Sequence, residues 1–319
     1  MNMNSGRRMA QLARLALAAG IVGLVLAACG GGTSQIEPFE PDQMVVFGDE
    51  SSLVRADGLR YTVNPHNSTT GLIDCMLQPI WTQTVAAEKG FIFSGCNPEG
   101  ATGTPAQMRA VAGASADDVK AQIEAQLADG GFSRNGLATV LAGGNDVLEL
   151  YAQYPQRSEA DLLVDARARG QRLGLQVNRL VDLGPRVLVS TVPDLGYSPF
   201  ARAQQAPDGD RTDPAALISR LVAAFNGGVR TTILNDGRYV GLVLADEAVQ
   251  AIARVPSAFG VKDVSTAACA IALPECTDQT LAASADSASW LWADDRHLAY
   301  GGQLQVGYLA RARVNGNPF

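Results

Sequence analysis

Short apolar runs that alternate with stretches of helical spacing limit what this chain can fold into more than any other feature. Met44 to Phe47 is closed by Gly48 and reads as a buried first strand, Leu137 to Leu141 as a strand opening into Gly143-Gly144-Asn145-Asp146, and Arg186 to Val192 as a β-branched strand. Phe91–Phe93 and Tyr239–Leu244 add two more strand candidates. Between them, Met76–Glu88, Ala116–Leu127, Ser158–Leu183 (as one helix or two), Pro214–Leu234 and Ala299–Arg313 have helical spacing. In the second of these, Val119, Ile123 and Leu127 recur at intervals of four, with Ser115 placed to cap. Strands that alternate with helices imply an α/β fold with a mainly parallel sheet covered on both faces, and ligands in such folds bind beyond the carboxyl ends of the strands.

The first 28 residues stand outside this pattern. Arg7, Arg8 and Arg14 precede the apolar run Leu15–Ala28, which is short for a membrane span and reads as a signal peptide. Its end, Leu26-Ala27-Ala28-Cys29, resembles a bacterial lipobox, which implies lipidation of Cys29 and a place in the bacterial cell envelope as a lipoprotein, at the outer membrane. Acyl chains on that cysteine would anchor the protein, since each buried methylene contributes about 0.8 kcal/mol. Residues 29–42, with Gly30-Gly31-Gly32-Thr33-Ser34 followed by Pro38 and Pro41, read as a tether. Residues 43–319 then form one α/β domain, with no internal repeat and no second linker.

Taking the three leader arginines from the 25 basic residues leaves 22 against 32 acidic ones, a net charge of −10. That balance repels phosphate backbones and argues against a nucleic-acid partner. Four cysteines remain in an oxidising compartment, and their grouping suggests Cys75 with Cys96 and Cys269 with Cys276. Zinc is the competing reading; it is weakened by the lack of CxxC and by histidines, His66 and His297, remote from every cysteine in sequence. Sequence alone leaves the connectivity open.

Chemistry-bearing residues fall at the strand ends: Phe47-Gly48-Asp49, Val111-Ala112-Gly113-Ala114, Gly143-Gly144-Asn145-Asp146 and Asp294-Asp295-Arg296-His297. In this order, and with Val192-Pro193-Asp194-Leu195-Gly196 and the stretch from Asp246 through Phe259-Gly260 to Cys269, the chain resembles the SGNH, or GDSL, family of serine ester hydrolases. The resemblance implies a three-layer α/β/α sandwich of flavodoxin-like type that hydrolyses acyl or acetyl esters with no cofactor or metal. It also implies that the Gly113 amide and Asn145 side chain form an oxyanion hole, that His297 is the base and that Asp294, rather than Asp295, orients it. The plainer readings are a turn for Gly113, a local Asx turn for Asn145, and a histidine without chemical role for His297. His66, among polar loop residues, reads as surface; Trp290 and Trp292 as packing or an acyl pocket; Met76 and Met108 as core.

Aligned on the family without a gap, the nucleophilic serine falls on Glu50. A carboxylate attacking an ester gives an anhydride, and beside His297 it would hold the imidazole protonated and useless as a base. Three arrangements stay open: Ser51 as nucleophile after a one-residue shift of the turn, Ser52 further displaced, or a site silenced by Glu50, leaving a pocket that binds a glycan or lipid. Capping is the plain role of both serines.

Overall fold

The computed structural model describes residues 38–98, 100–206, 212–234 and 237–316. The expected signal peptide, Cys29 and most of the tether lie outside the described residues. Along the chain run β1 (Gln43–Gly48), a helical turn at Glu50–Ser52, α1 (Trp81–Glu88), β2 (Phe91–Phe93), β3 (Thr104–Met108), α2 (Asp118–Ala128) and β4 (Gly136–Leu141). Then come α3 (Gly144–Tyr151), α4 (Glu159–Leu183), β5 (Arg186–Ser190), α5 (Pro199–Ala203), α6 (Pro214–Thr232), β6 (Val240–Val243), α7 (Ala245–Arg254), β7 (Asp263–Ala267), β8 (Trp290–Trp292) and α8 (Tyr300–Val314).

Six strands form one sheet in the order β2-β3-β1-β4-β5-β6, and every neighbouring pair is parallel. All six residues of β4 are buried, as a strand covered on both faces requires. One helical layer joins α1 to α8 and α7; the other packs α4 along α6, with α2 and α3 against α4. From β1 the chain moves to β2 and β3 on one side and then crosses to β4 on the other. This reversal opens a crevice above the carboxyl ends of β1 and β4, where doubly wound sheets take their ligands. The strands β7 and β8 make a separate parallel pair that carries the chain to the far wall of that crevice.

Several elements differ from the sequence pattern for identifiable reasons. The helix expected from Met76 starts only at Trp81, because the buried Arg60 guanidinium takes the carbonyls of Leu77 and Gln78, both at 3.0 Å, and Pro79 follows. Met76 is therefore exposed rather than in the core. Strand β3, with Pro105 and Gln107, has no apolar run; it is held by pairing on both sides and by Gln107 accepting from Gln43 Nε2 at 3.0 Å. Ser115 does not cap α2: its amide and hydroxyl instead donate to Asp118 Oδ2 at 2.8 and 2.7 Å. Ser158–Leu183 is one helix, its Asp161 amide capped by the Ser158 hydroxyl.

Disulfides join Cys75 to Cys96 and Cys269 to Cys276. The compact body begins at Phe39, inside the segment read as tether. Phe39 is buried under the Arg186 guanidinium, 4.3 Å from its ring centroid, and its carbonyl accepts from Lys89 Nζ at 2.7 Å.

Candidate active site

Three strand ends and one loop build the site. At the end of β1, Gly48 has φ +123°, and a side chain there would place its Cβ 1.8 Å from the Leu141 carbonyl oxygen. Gln122 pins this turn by donating to the Gly48 carbonyl at 2.9 Å and accepting from its amide at 2.8 Å. Asp49 then accepts from the Ser51 amide at 2.9 Å and starts the helical turn at Glu50, sending the Glu50 side chain into the crevice. Beyond β3, Gly113 turns at φ +78° with open space around it, so backbone conformation rather than crowding calls for glycine. Its amide donates to Glu50 Oε2 at 2.7 Å. Beyond β4, Gly143 (φ +123°) lies against the Phe225 ring and admits no side chain, which sets Asn145 in the first turn of α3. Asn145 Nδ2 donates to the same Glu50 Oε2 at 3.2 Å and to the Ala114 carbonyl at 3.1 Å.

The fourth piece follows β8. Asp294 Oδ1 accepts from the amides of Arg296 and His297 at 2.9 and 2.7 Å, which folds the loop back on itself, and Oδ2 meets His297 Nδ1 at 2.7 Å. His297 Nε2 lies 3.1 Å from Glu50 Oε1. Tyr61 packs on the imidazole, ring centroids 5.8 Å apart.

Glu50 is thus bridged, one oxygen in the two-donor cradle and the other on the histidine. Burial would raise its carboxyl, but the hydrogen bonds from His297 and from the Gly113 amide outweigh it and hold it at about 2. Burial would likewise lower His297, yet Asp294 and then Glu50 raise it to about 9. Burial and the neighbouring Glu50 charge push Asp49 up to about 7. The resting site at neutral pH is a carboxylate–imidazolium pair, not a base waiting for a hydroxyl.

Glu50, Gly113, Asn145, Asp294 and His297 come together from positions far apart in sequence. Ser51 borders the cleft, but both ring nitrogens of His297 are engaged by Asp294 and Glu50. Ser52 is buried, its carbonyl bonded to Thr82 Oγ1 at 3.1 Å. Asp295 does not orient the imidazole; its carbonyl accepts from the Phe200 amide at 2.8 Å. His66 pairs with Asp278 at 2.5 Å, away from the site, and is partly covered rather than a free surface residue. The cleft, a cavity of about 40 Å³ that opens to solvent, is walled by Trp81, Leu141, Leu148, Val192, Leu195 and Val306. Trp290 and Trp292 are not among its walls; Trp292 is packing, fully buried in β8. Trp81 and Tyr61 were not visible as site residues in the sequence, since each lies in a segment whose spacing signals only a helix or a loop; Asp49 stands in the strand-end turn Phe47-Gly48-Asp49, but the sequence assigns it no role of its own. Among the described residues no cluster of His, Cys, Asp and Glu could hold a metal ion.

A lipase from a goat rumen metagenome has a solved structure that superposes on 87% of this chain and 99% of its own, with a TM-score of 0.50 at 11% sequence identity. The two chains share one fold, a mainly parallel sheet between helical layers. An acetylxylan esterase from Geobacillus stearothermophilus aligns over 88% of this chain and 98% of its own (TM-score 0.44, 13% identity). A member of the lipolytic G-D-S-L family from Veillonella parvula aligns over 84% and 95% (TM-score 0.40, 9% identity). No family model matches the chain, and no curated protein matches it in sequence. At such identities the likeness is one of backbone architecture, and the side chains must be read for themselves.

Proposed function

We propose that this protein is an SGNH-type ester hydrolase in which Glu50 has replaced the serine and shut off cleavage of carboxylic esters, leaving the cleft to bind an acylated glycan or lipid in the cell envelope. One observation carries the reading: the Glu50 carboxylate fills the oxyanion cradle of Gly113 and Asn145 while pairing with His297. A bound ester would find no free donors for its developing oxyanion, and no neutral imidazole to accept a proton. The apolar walls suit an acyl chain. Ser51 as nucleophile would need His297 to release Glu50.

The test is Glu50→Ser in the soluble domain, assayed with a short-chain chromogenic ester. Freeing the cradle and supplying a hydroxyl is expected to raise hydrolysis at least about a hundredfold over the wild type, with the gain lost again when His297→Ala is added. Wild-type hydrolysis that disappears in Ser51→Ala would overturn the reading. We further propose that lipid on Cys29 anchors the chain at the outer membrane; release of a Cys29→Ser variant into the soluble fraction is the expected result, and unchanged membrane retention would refute the anchor.

A further inference from the structure

The cradle that would ordinarily hold a substrate's oxygen holds Glu50 Oε2, and the histidine faces Glu50 Oε1. These are the positions that the carbonyl oxygen and the ester oxygen of an alkylated Glu50 would occupy. The same arrangement would suit the hydrolysis of an ester formed on Glu50 itself. Such an ester arises when a carboxylate attacks a saturated carbon, a step that makes no substrate oxyanion and needs no free cradle. The group displaced must accept a proton, and the imidazolium is the acid at hand, which favours an oxygen leaving group. With walls of Trp81, Leu141, Leu148, Val192, Leu195 and Val306, the carbon belongs to an apolar chain.

We propose that Glu50 is a nucleophile toward apolar epoxides, which the protein hydrolyses to diols through a covalent Glu50 ester. Glu50 Oε1 bonds to a ring carbon, the carbon–oxygen bond of the ring breaks, and the freed oxygen takes the proton from His297. Neutral His297 then removes a proton from water, whose oxygen attacks the Glu50 Cδ, and the negative charge appears on Oε2 between the Gly113 amide and Asn145. On collapse the bond from Cδ to the alkyl-bearing oxygen breaks, that oxygen takes the proton back from His297, and the diol leaves. Glu50, now carrying one oxygen from water, passes its proton to His297 and restores the resting pair. The net change is epoxide plus water to diol. Loss of the Glu50 charge on alkylation removes one of the two anions that keep His297 protonated, which prepares it to act as the base.

The test is a single turnover of linear terminal epoxides of short, medium and long chain by excess wild-type domain in heavy-oxygen water. The expected result is unlabelled diol and one heavy oxygen in the peptide that contains Glu50. In Asn145→Ala, which removes a cradle donor, resolution is expected to slow about a hundredfold, so that intact mass rises by one epoxide and maps to Glu50. Heavy oxygen in the diol, an adduct that persists in Glu50→Gln, or no conversion at any chain length would overturn the proposal. An ester-cleaving Glu50→Ser variant beside a wild type inert to epoxides would sink this inference alone and leave the proposed function standing.

Discussion

Glu50 and His297 hold opposite charges in a site that a hydroxyl would have left neutral, and this has consequences for stability. His297 sits at about 9 in the folded chain against 6.5 as a model group. A folded value above the unfolded one gives stability that is complete below the unfolded value and lost as the pH rises through the folded one. His297 thus withdraws its contribution between 6.5 and about 9. Asp49, raised from 3.8 to about 7, is an acid kept protonated by folding, so it acts in the same direction over that lower interval. Glu50, lowered from 4.5 to about 2, acts the opposite way and loses its contribution as the pH falls through that window. For these three groups, stability is greatest near about pH 4 and declines toward about pH 9. Urea unfolding at about pH 5, 7 and 9 is expected to show a falling midpoint in the wild type and a flatter profile in Glu50→Gln, because that change removes one anion from both His297 and Asp49. Equal slopes in the two proteins would show that Glu50 does not hold the histidine proton.

Among the elements, α4 and α6 approach through glycine. A Cβ at Gly170 would lie 2.0 Å from the Phe225 carbonyl oxygen, and one at Gly228 would lie 2.2 Å from that of Arg167. Helix propensity alone favours Gly170→Ala by about 1 kcal/mol. Backbone carbonyls cannot move aside as a flexible side chain can, so Gly170→Ala is expected to destabilise by about 2 kcal/mol or more. Gly227→Ala, whose Cβ would meet nothing nearer than 3.5 Å, is expected to be neutral or stabilising. Urea midpoints of the two variants decide it. The elements read correctly from sequence, β1, β2, β4, β5, β6, α2, α4, α6 and α8, carry their own signal: an apolar run for a strand, or helical spacing over several turns. Those missed, β3, α3, α5 and the β7–β8 pair, are short or polar, and partners made elsewhere in the chain hold them. Helix α7, missed as well, was legible by its spacing, with Ala245, Val249 and Ile252 on one buried face; its Asp246 is tied to distant partners, accepting from Thr191 Oγ1 at 2.7 Å and from Asn226 Nδ2 at 3.1 Å.

Across the whole molecule the boundary of the domain is itself a packing result. Phe39 gives up its surface to the body, and its carbonyl holds the Lys89 ammonium, whose side chain is only 4% exposed. A chain beginning at Gln43 loses that burial and strands a covered charge, and is expected to be about 3 kcal/mol less stable than one beginning at Phe39. Matching urea midpoints for the two would mean that residues 39–42 are dispensable. The sequence by itself determined the alternation of strands and helices, hence the parallel sheet and the end of it where chemistry gathers, because strand and helix periods are local properties of the chain. It also carried the Asp294–His297 spacing, since one tight loop makes that contact. Which atom the histidine would face depended on a contact between residues 50 and 297, and on how Gly48 turns beside Leu141. A one-residue shift in that turn would have offered Ser51 instead. Only the assembled strand ends decided for Glu50, through the joint pull of the Gly113 amide, Asn145 and the imidazole on a single carboxylate.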